Sequence, residues 1–282
     1  MSCFAHACEH GDLQEAKTLL GLGGVDIHAA QEGAFRWACA NGHLLVAQWL
    51  HALGGVDVHA MGDNAFVAAC ECGHLQVAQW LFAQGGVDIH ADDDDAFSTA
   101  CERGHLQVAQ WLFAQGGVDI HADDDYAFKM ACWTGNLVMA QWLHGLGGVD
   151  IHANGDYAFK MACWTGSLVM AQWLHALGGL DIHAHNDFAF RAACASGHLV
   201  IAQWLHGLGG VDIHALNDFA FQAACHSGHL CMARWLHGLE PEWAWPAQGM
   251  RALQIWSPTR DVWMRAALKF HGAASDEKVS VG

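Results

Sequence analysis

A unit of 31 residues repeats along most of this chain and limits the folds that it can adopt. The peptide DYAFKMACWTG occurs twice without change, at 125–135 and at 156–166. Eight cysteines recur at the 31-residue interval: Cys8, Cys39, Cys70, Cys101, Cys132, Cys163, Cys194 and Cys225. A fixed period of this length is typical of solenoids, in which each unit covers the apolar face of its neighbour. The repeated peptide therefore indicates tandem copying before it indicates a site.

Each unit contains the signals of two short helices. Asp125 is a typical N-cap residue, and a stretch without Gly or Pro separates it from Gly135. Apolar residues at 137–146 have helical spacing, and the Gly147-Gly148 pair suits a left-handed C-cap. The V-D-I-H-A segment that follows is short and extended. The pattern predicts an all-α fold of helix pairs, in which the tryptophan of each second helix is buried between repeats.

The recurring G-H-L-x-V-A-Q-W-L, followed by G-x-D-I-H-A, resembles the ankyrin repeat over residues 1–239. Two features differ from the family pattern. Segments such as Tyr126-Ala127-Phe128-Lys129 replace the T-P-L-H tetrapeptide, and the segment before the first helix is shorter. The 31-residue form is also similar to arrays of giant viruses and some protists. The resemblance implies an ankyrin-type helix-turn-helix solenoid of about eight repeats, which binds protein partners through its concave face and turns.

The two ends of the chain differ from the internal repeats. Glu15, Lys17 and Thr18 make the second helix of the first repeat polar, as expected of an N-terminal cap. The repeat register stops at residue 239. We interpret residues 240–272 either as a divergent C-terminal helical cap or as a docking segment, and residues 273–282 as a disordered tail.

The rows of cysteine and histidine do not predict disulfides, metal sites or cofactors. Stacked helices lie about 8 to 10 Å apart, whereas a disulfide needs Cα atoms within about 7 Å and zinc ligands lie about 2 Å from one ion. We therefore predict that the eight cysteines are small buried hydrophobes and that no metal is bound. Histidines of the V-D-I-H row should tie loops together by hydrogen bonds: His28, His59, His90, His121, His152, His183 and His214. A second row should cap helices: His43, His74, His105, His198 and His229.

The charge and the motifs of the chain limit the classes of function that it can have. Nearly every polar residue belongs to a row that repeats with the fold, so no unique catalytic constellation is visible and we predict no enzymatic activity. Residues 1–245 carry 7 Lys/Arg against 26 Asp/Glu, which disfavours nucleic acid and favours a basic protein partner. No apolar run reaches the ~18 residues that a membrane span needs, and the N-terminus lacks the features of a signal peptide. We predict a cytoplasmic monomer, in the host cytoplasm if the protein is viral.

Partner binding should use positions at which the repeats differ. On a helical wheel, Tyr126, Lys129 and Trp133 lie opposite the apolar set that contains Phe128. The copies of these three residues should lie about 10 Å along the stack, and the resemblance adds the threonine that follows each tryptophan. Acidic turns at 92–95 and 123–125 should line the edge of this patch. The predicted partner-binding residues are Tyr126, Lys129, Trp133, Thr134, Tyr157, Lys160, Trp164, Thr165, Asp93, Asp94, Asp95 and Asp124.

Two alternatives remain open from the sequence. Trp133 and Trp164 could pack between adjacent first helices and contact no partner. At the level of function, the main prediction is a non-catalytic scaffold that binds a protein. The alternative is a substrate-recognition adaptor of a ubiquitin ligase, whose C-terminal segment docks the ligase machinery.

Overall fold

The structure, a computed structural model, describes residues 2–240, which form α-helices and no strand. The segment interpreted as a cap or docking element (240–272), apart from Glu240, and the tail (273–282) lie outside the described residues. The chain divides into two compact units, with the boundary between Ala153 and Asn154. Within residues 2–240, no helix combines the length and the apolar character that crossing a membrane requires.

The first unit consists of helix pairs, each with a first and a second helix. The first helices pack against one another in chain order, and each also packs on the second helix of its own pair. The first helices are α1 (Cys3–Glu9), α3 (Ala29–Ala40), α5 (Ala60–Glu71), α7 (Ala91–Glu102) and α9 (Ala122–Trp133). The second helices are α2 (Leu13–Gly21), α4 (Leu44–Ala52), α6 (Leu75–Ala83), α8 (Leu106–Gln115) and α10 (Leu137–Leu146).

The second unit has the same construction. Its described helices are α11 (Ala153–Thr165), α12 (Leu168–Leu177), α13 (Ala184–Ser196), α14 (Leu199–Leu208), α15 (Ala215–His226) and α16 (Leu230–Leu239). Helices α13 and α15 pack side by side, and each packs on the second helix of its pair. The predicted all-α solenoid of about eight repeats is confirmed, and α10 has the bounds that the glycine signals indicated.

The core of each repeat is built from one Ala-Phe-x-x-Ala-Cys segment and one second helix. In the repeat of α7, Phe97, Ala100 and Cys101 are buried, as are Val108 and Leu112 of α8. Burial raises the pKa of the Cys8 thiol to about 11 and that of Cys70 and Cys225 to about 12. All eleven cysteines are free. The eight in the row therefore act as small apolar residues, as predicted.

The tryptophans of the second helices are half-buried, so the burial predicted for them is only partial. Six of them contact an aromatic ring of the preceding repeat: Trp49, Trp80, Trp111, Trp142, Trp204 and Trp235. Trp142, for example, lies 6.3 Å from the ring of Phe97 and 6.0 Å from that of Phe113, with an interplanar angle of 87° for the second pair. The tilted and edge-to-face geometry is the one that aromatic pairs prefer. These tryptophans thus join repeats while part of each side chain stays in solvent.

A left-handed turn of three residues occupies the second to fourth residues of every first helix from α3 onward, and regular right-handed helix follows it. In the repeat of α7, Asp92, Asp93 and Asp94 have φ values of 52°, 56° and 63°. The backbone N–H of Asp94 donates to the carbonyl oxygen of His90 at 3.4 Å and closes the turn. Asn, Asp and Gly tolerate this conformation best, and they fill most of these positions. The turns span 30–32, 61–63, 92–94, 123–125, 154–156, 185–187 and 216–218.

The histidine of the V-D-I-H segment fixes this turn. Nδ1 of His121 donates to Oδ1 of Asp125 at 2.6 Å, and Oδ2 of Asp125 accepts from the backbone N–H of Asp150 in the next repeat at 3.1 Å. Asp125 therefore does not cap the helix through its side chain, as the sequence had suggested. It joins its own turn to the following loop. The hydrogen-bonding role predicted for this histidine row is confirmed at His28, His59, His90, His121, His183 and His214.

The second histidine row also links repeats, and the capping role predicted for it is wrong. His43, His74, His105, His198 and His229 stand at N-cap positions but make no side-chain cap hydrogen bond. Instead Nε2 of His43 donates to the carbonyl oxygen of Glu9 in the preceding repeat at 2.9 Å. The ring lies so close to that repeat that a Cβ on Gly11 would stand 2.5 Å from it. Glycine at this position is required by contact as well as by its positive φ.

The aromatic contact between repeats can be measured by a double-mutant cycle. We expect Phe97→Ala to lower the free energy of unfolding by about 3 to 5 kcal/mol because Phe97 is fully buried, and Trp142→Ala to lower it by less because its ring is half-exposed. The double variant should reveal a coupling of about 0.5 to 1.5 kcal/mol. Denaturant unfolding of the full chain measures all three. Additive losses would show that the two rings do not stabilise each other.

Thiol accessibility tests the assignment of the core. In the native protein, a thiol reagent should modify Cys3, Cys72 and Cys231, which are exposed, and leave the eight row cysteines unmodified. After denaturation all eleven should react. Mass spectrometry of labelled peptides identifies the sites. Rapid native labelling of Cys132 or Cys163 would contradict the burial of the row.

Candidate functional site

The positions at which the repeats differ most lie on the exposed face of the first helices. Tyr126 is 37% exposed, Trp133 42% and Trp164 48%, whereas Phe128 is 1% exposed. The predicted division of α9 into a core side and an outer side is therefore confirmed. The two copies of the Tyr-Lys-Trp stripe belong to different compact units, and we describe each within its own unit.

In the first unit, Tyr126 and Trp133 project from a strongly acidic surface. Partial burial of the Tyr126 hydroxyl, and then the negative charges of Glu102, Asp123 and Asp95, raise its pKa. Glu102 makes no hydrogen bond or ion pair with any residue that the structure describes. We call Glu71, Asp95, Glu102, Tyr126 and Trp133 the acidic aromatic surface.

An open cavity of about 550 Å³ adjoins this surface. Glu71 is paired with Arg103 at its rim, while Glu102 stays without such a partner among the described residues. The cavity is lined by Glu71, Cys72, Glu102, Arg103, His105 and Thr134. The carboxylate of Glu102 thus shares the cavity wall with Thr134, the residue that follows Trp133 in the chain.

The lysines of the predicted stripe face their own turns. Nζ of Lys129 donates to the carbonyl oxygen of Asp123 at 3.0 Å, and Nζ of Lys160 donates to that of Gly155. Arg36 and Arg191 make the same kind of contact with the turns before them. The basic side chain at this position thus satisfies carbonyl groups of the left-handed turn. Each lysine thus stabilises its own turn, and Nζ of Lys160 also lies 5.9 Å from the ring centroid of Phe188.

The second unit carries a row of aromatic rings with cations between them. Trp164 stacks on Phe188 with 6.5 Å between ring centroids. Arg191 lies 5.8 Å from the ring centroid of Phe188 and 5.3 Å from that of Phe219, within the range of cation–π attraction. Phe219 is 42% exposed. We call Trp164, Phe188, Arg191 and Phe219 the aromatic row.

The sequence left open whether Trp133 and Trp164 pack between adjacent first helices or face solvent. The structure answers this for each of them. Trp164 packs one ring face on Phe188 of the next first helix and keeps about half of its surface exposed. Trp133 is exposed to a similar degree. Both rings therefore present apolar surface to solvent.

The Tyr-Lys-Trp stripe that the sequence predicted did not include Phe188, Arg191 or Phe219. Phe188 and Phe219 occupy the register of Tyr126 and Tyr157 in the two following repeats, and Arg191 occupies the register of Lys129. The signal is present as a column of the repeat that continues beyond the duplicated peptide. Tyr157 itself is half-buried.

The acidic turn residues fall into two groups. Asp93, Asp95 and Asp124 are exposed, whereas Asp94 is buried. Oδ1 of Asp94 accepts from His90 at 2.6 Å, and Oδ2 accepts from the backbone N–H of Asp119 at 3.2 Å. Both oxygens of Asp94 are occupied within the chain, so we assign it to the scaffold.

The predicted threonines make local contacts. Oγ1 of Thr134 donates to the carbonyl oxygen of Met130 at 2.9 Å, and Oγ1 of Thr165 donates to that of Met161 at 3.0 Å. Thr134 is exposed at the cavity wall, and Thr165 is half-buried. Both threonines close the last turn of a first helix.

Comparison with known families agrees with this architecture. A model described as ankyrin repeats (3 copies) matches residues 4–93, and one described as ankyrin repeats (many copies) matches residues 97–144. The same helix pair and residue rows continue to residue 239. The chain belongs to the ankyrin-repeat proteins. No curated protein matches it.

The two neighbouring aspartates of one turn provide a matched test of the His–Asp contact. Asp94→Asn keeps a residue that tolerates the left-handed conformation but weakens two hydrogen bonds to a buried carboxylate. We expect a loss of about 1 to 3 kcal/mol in unfolding free energy. Asp93→Asn, in the same turn and exposed, should change it by less than about 0.5 kcal/mol. Equal effects of the two changes in denaturant melts would rule out a special role of Asp94.

Proposed function

We propose that this protein is a non-catalytic scaffold that binds a protein partner with a basic surface through the exposed faces of its first helices and the adjoining turns. The family supports the general role, because ankyrin repeats act in protein–protein interaction. The observation that carries the specific proposal is the acidic aromatic surface, where the negative charge of Glu102 acts on the exposed Tyr126 and the exposed Trp133 occupies the register of Glu102 in the next repeat.

The chemistry of this surface fits a lysine or arginine side chain. A cation beside Trp133 would gain from the ring face, and a carboxylate within reach would add a charge-assisted hydrogen bond. The open cavity that Glu102 and Thr134 line leaves room for a long side chain. Aromatic residues of this kind are also enriched among the anchors that dominate interface energies.

The aromatic row of the second unit supports apolar rather than ionic contact. Its cation, Arg191, is 8% exposed and is held by the carbonyl oxygens of His185 and Asn186. Phe219 and Leu216, at 42% and 53% exposure, offer apolar surface beside it. We propose that a partner's apolar side chains contact this row.

The free cysteines support a reducing location. A chain that retains eleven free thiols suits the cytoplasm, where thiols stay reduced. We propose a cytoplasmic monomer, in the host cytoplasm if the protein is viral. The ubiquitin-ligase adaptor hypothesis depends on residues 240–272, which lie outside the described residues except for Glu240. No observation within residues 2–240 favours it.

Partner binding is tested by affinity purification with the full chain, followed by binding measurements on the purified captured protein. Tyr126→Ala and Trp133→Ala should each weaken binding by about 2 kcal/mol, or about thirtyfold in Kd. Helix content measured by circular dichroism should stay unchanged because both side chains are exposed.

A control variant distinguishes this surface from exposed apolar residues in general. Val138→Ala alters a residue of α10 that is 61% exposed, and it should leave the Kd unchanged. Asp95→Asn combined with Glu102→Gln should slow association and reduce its salt dependence more than it speeds dissociation. Wild-type affinity of the Trp133→Ala variant, or an equal loss with Val138→Ala, would rule out the acidic aromatic surface as the binding site.

A further inference from the structure

Three metal-ligating side chains come together at the end of α1 in the first repeat. They are His6, Glu9 and His10, and each offers a ligand atom within 4.8 Å of those of the other two. Nδ1 of His6 lies 3.9 Å and Nδ1 of His10 lies 4.0 Å from Oε2 of Glu9. We propose that these residues form a binding site for a divalent transition-metal ion of the zinc type.

The helix supplies the geometry of this site. His6 and His10 are one turn apart and therefore lie on the same face of the helix, where their ring centroids are 4.1 Å apart. Zinc bonds of about 2.0 to 2.2 Å require neighbouring ligand atoms about 3.3 Å apart. Both rings are exposed, so small side-chain rotations bring the three ligands to that separation. Water completes the coordination.

The ligand chemistry selects the class of metal. Two imidazoles and one carboxylate suit zinc and its neighbours in the first transition row, whereas magnesium and calcium prefer sites made of oxygen alone. Nδ1 of His10 lies 3.0 Å from the carbonyl oxygen of His6. With the proton on Nε2, Nδ1 instead has the lone pair that a metal needs, on the ring atom that lies 4.0 Å from Oε2 of Glu9. The formal net charge of −17 on the chain also favours the approach of a cation.

The repeat architecture does not explain these residues. The position of His6 is held in the other repeats by Trp37, Ala68, Thr99, Met130, Met161, Ala192 and Ala223. The position of His10 is held by Asn41, Cys72, Arg103, Thr134, Thr165, Ser196 and Ser227. Histidine at both positions therefore occurs in the first repeat alone, and it is not a requirement of the scaffold. We predicted no metal site because equivalent histidines of adjacent repeats lie too far apart to share one ion. His6, Glu9 and His10 belong to a single repeat, so that argument does not apply to them.

Isothermal titration of the full chain with Zn²⁺ tests the site, with a non-thiol reductant present to keep the cysteines reduced. We expect one site that His6→Ala combined with His10→Ala weakens by at least about tenfold. A matched control, His185→Ala combined with His226→Ala, removes two exposed histidines elsewhere and should leave this site unchanged. Glu9→Gln should weaken binding less than the double histidine variant, and Mg²⁺ should not compete.

The zinc affinities of the wild type and of the control pair are decisive. The absence of zinc binding in the wild type, or equal weakening by the control pair, would overturn the proposal. Circular dichroism of each variant shows whether the helices are retained, and zinc binding that is lost with unchanged helix content supports the site. Because no binding partner is needed, the result is independent of the proposed scaffold function.

Discussion

The pairing of the V-D-I-H histidine with a carboxylate four residues later, which six repeats show, is the interaction on which the remaining architecture depends. It holds three consecutive residues in a left-handed turn, a conformation that costs about 1 to 2 kcal/mol for each residue other than glycine. The same carboxylate accepts a hydrogen bond from the next repeat at Asp94, Asp125 and Asp187. One side chain thus fixes both the entry to a first helix and the position of the following loop.

This fixed turn explains how the chain combines a repeated scaffold with a variable surface. The turn, the Phe and Cys core and the second histidine row use the positions that recur in each repeat. The outer positions of the first helices have no structural role that recurs in each repeat. The exception is a basic residue such as Lys129 or Arg191, which donates to the carbonyl groups of the turn. The exposed rings of Tyr126, Trp133 and Phe219 stand at these outer positions.

Much of the fold was predictable from the sequence because its signals are local and recur many times. The glycine pairs gave the ends of α10, and helical spacing placed Phe128 in the core. The left-handed turn was not predictable, because Asp123–Asp125 resemble an ordinary cap and turn. The link from Asp125 to Asp150 joins residues of different repeats and leaves no local pattern. For the site, spacing identified Tyr126 and Trp133 correctly as outer residues, but it did not reveal that Lys129 binds its own turn.

The handedness of the turn can be tested by the sign of the change in unfolding free energy that a single substitution causes. Met61 adopts φ 59° and is exposed, so Met61→Gly removes the steric cost of the left-handed conformation. The account predicts that this change raises the free energy of unfolding, measured in denaturant, by about 1 kcal/mol. If residues 60–71 instead formed one continuous right-handed helix, the same change would lower it by about 1 kcal/mol, and that result would contradict the account.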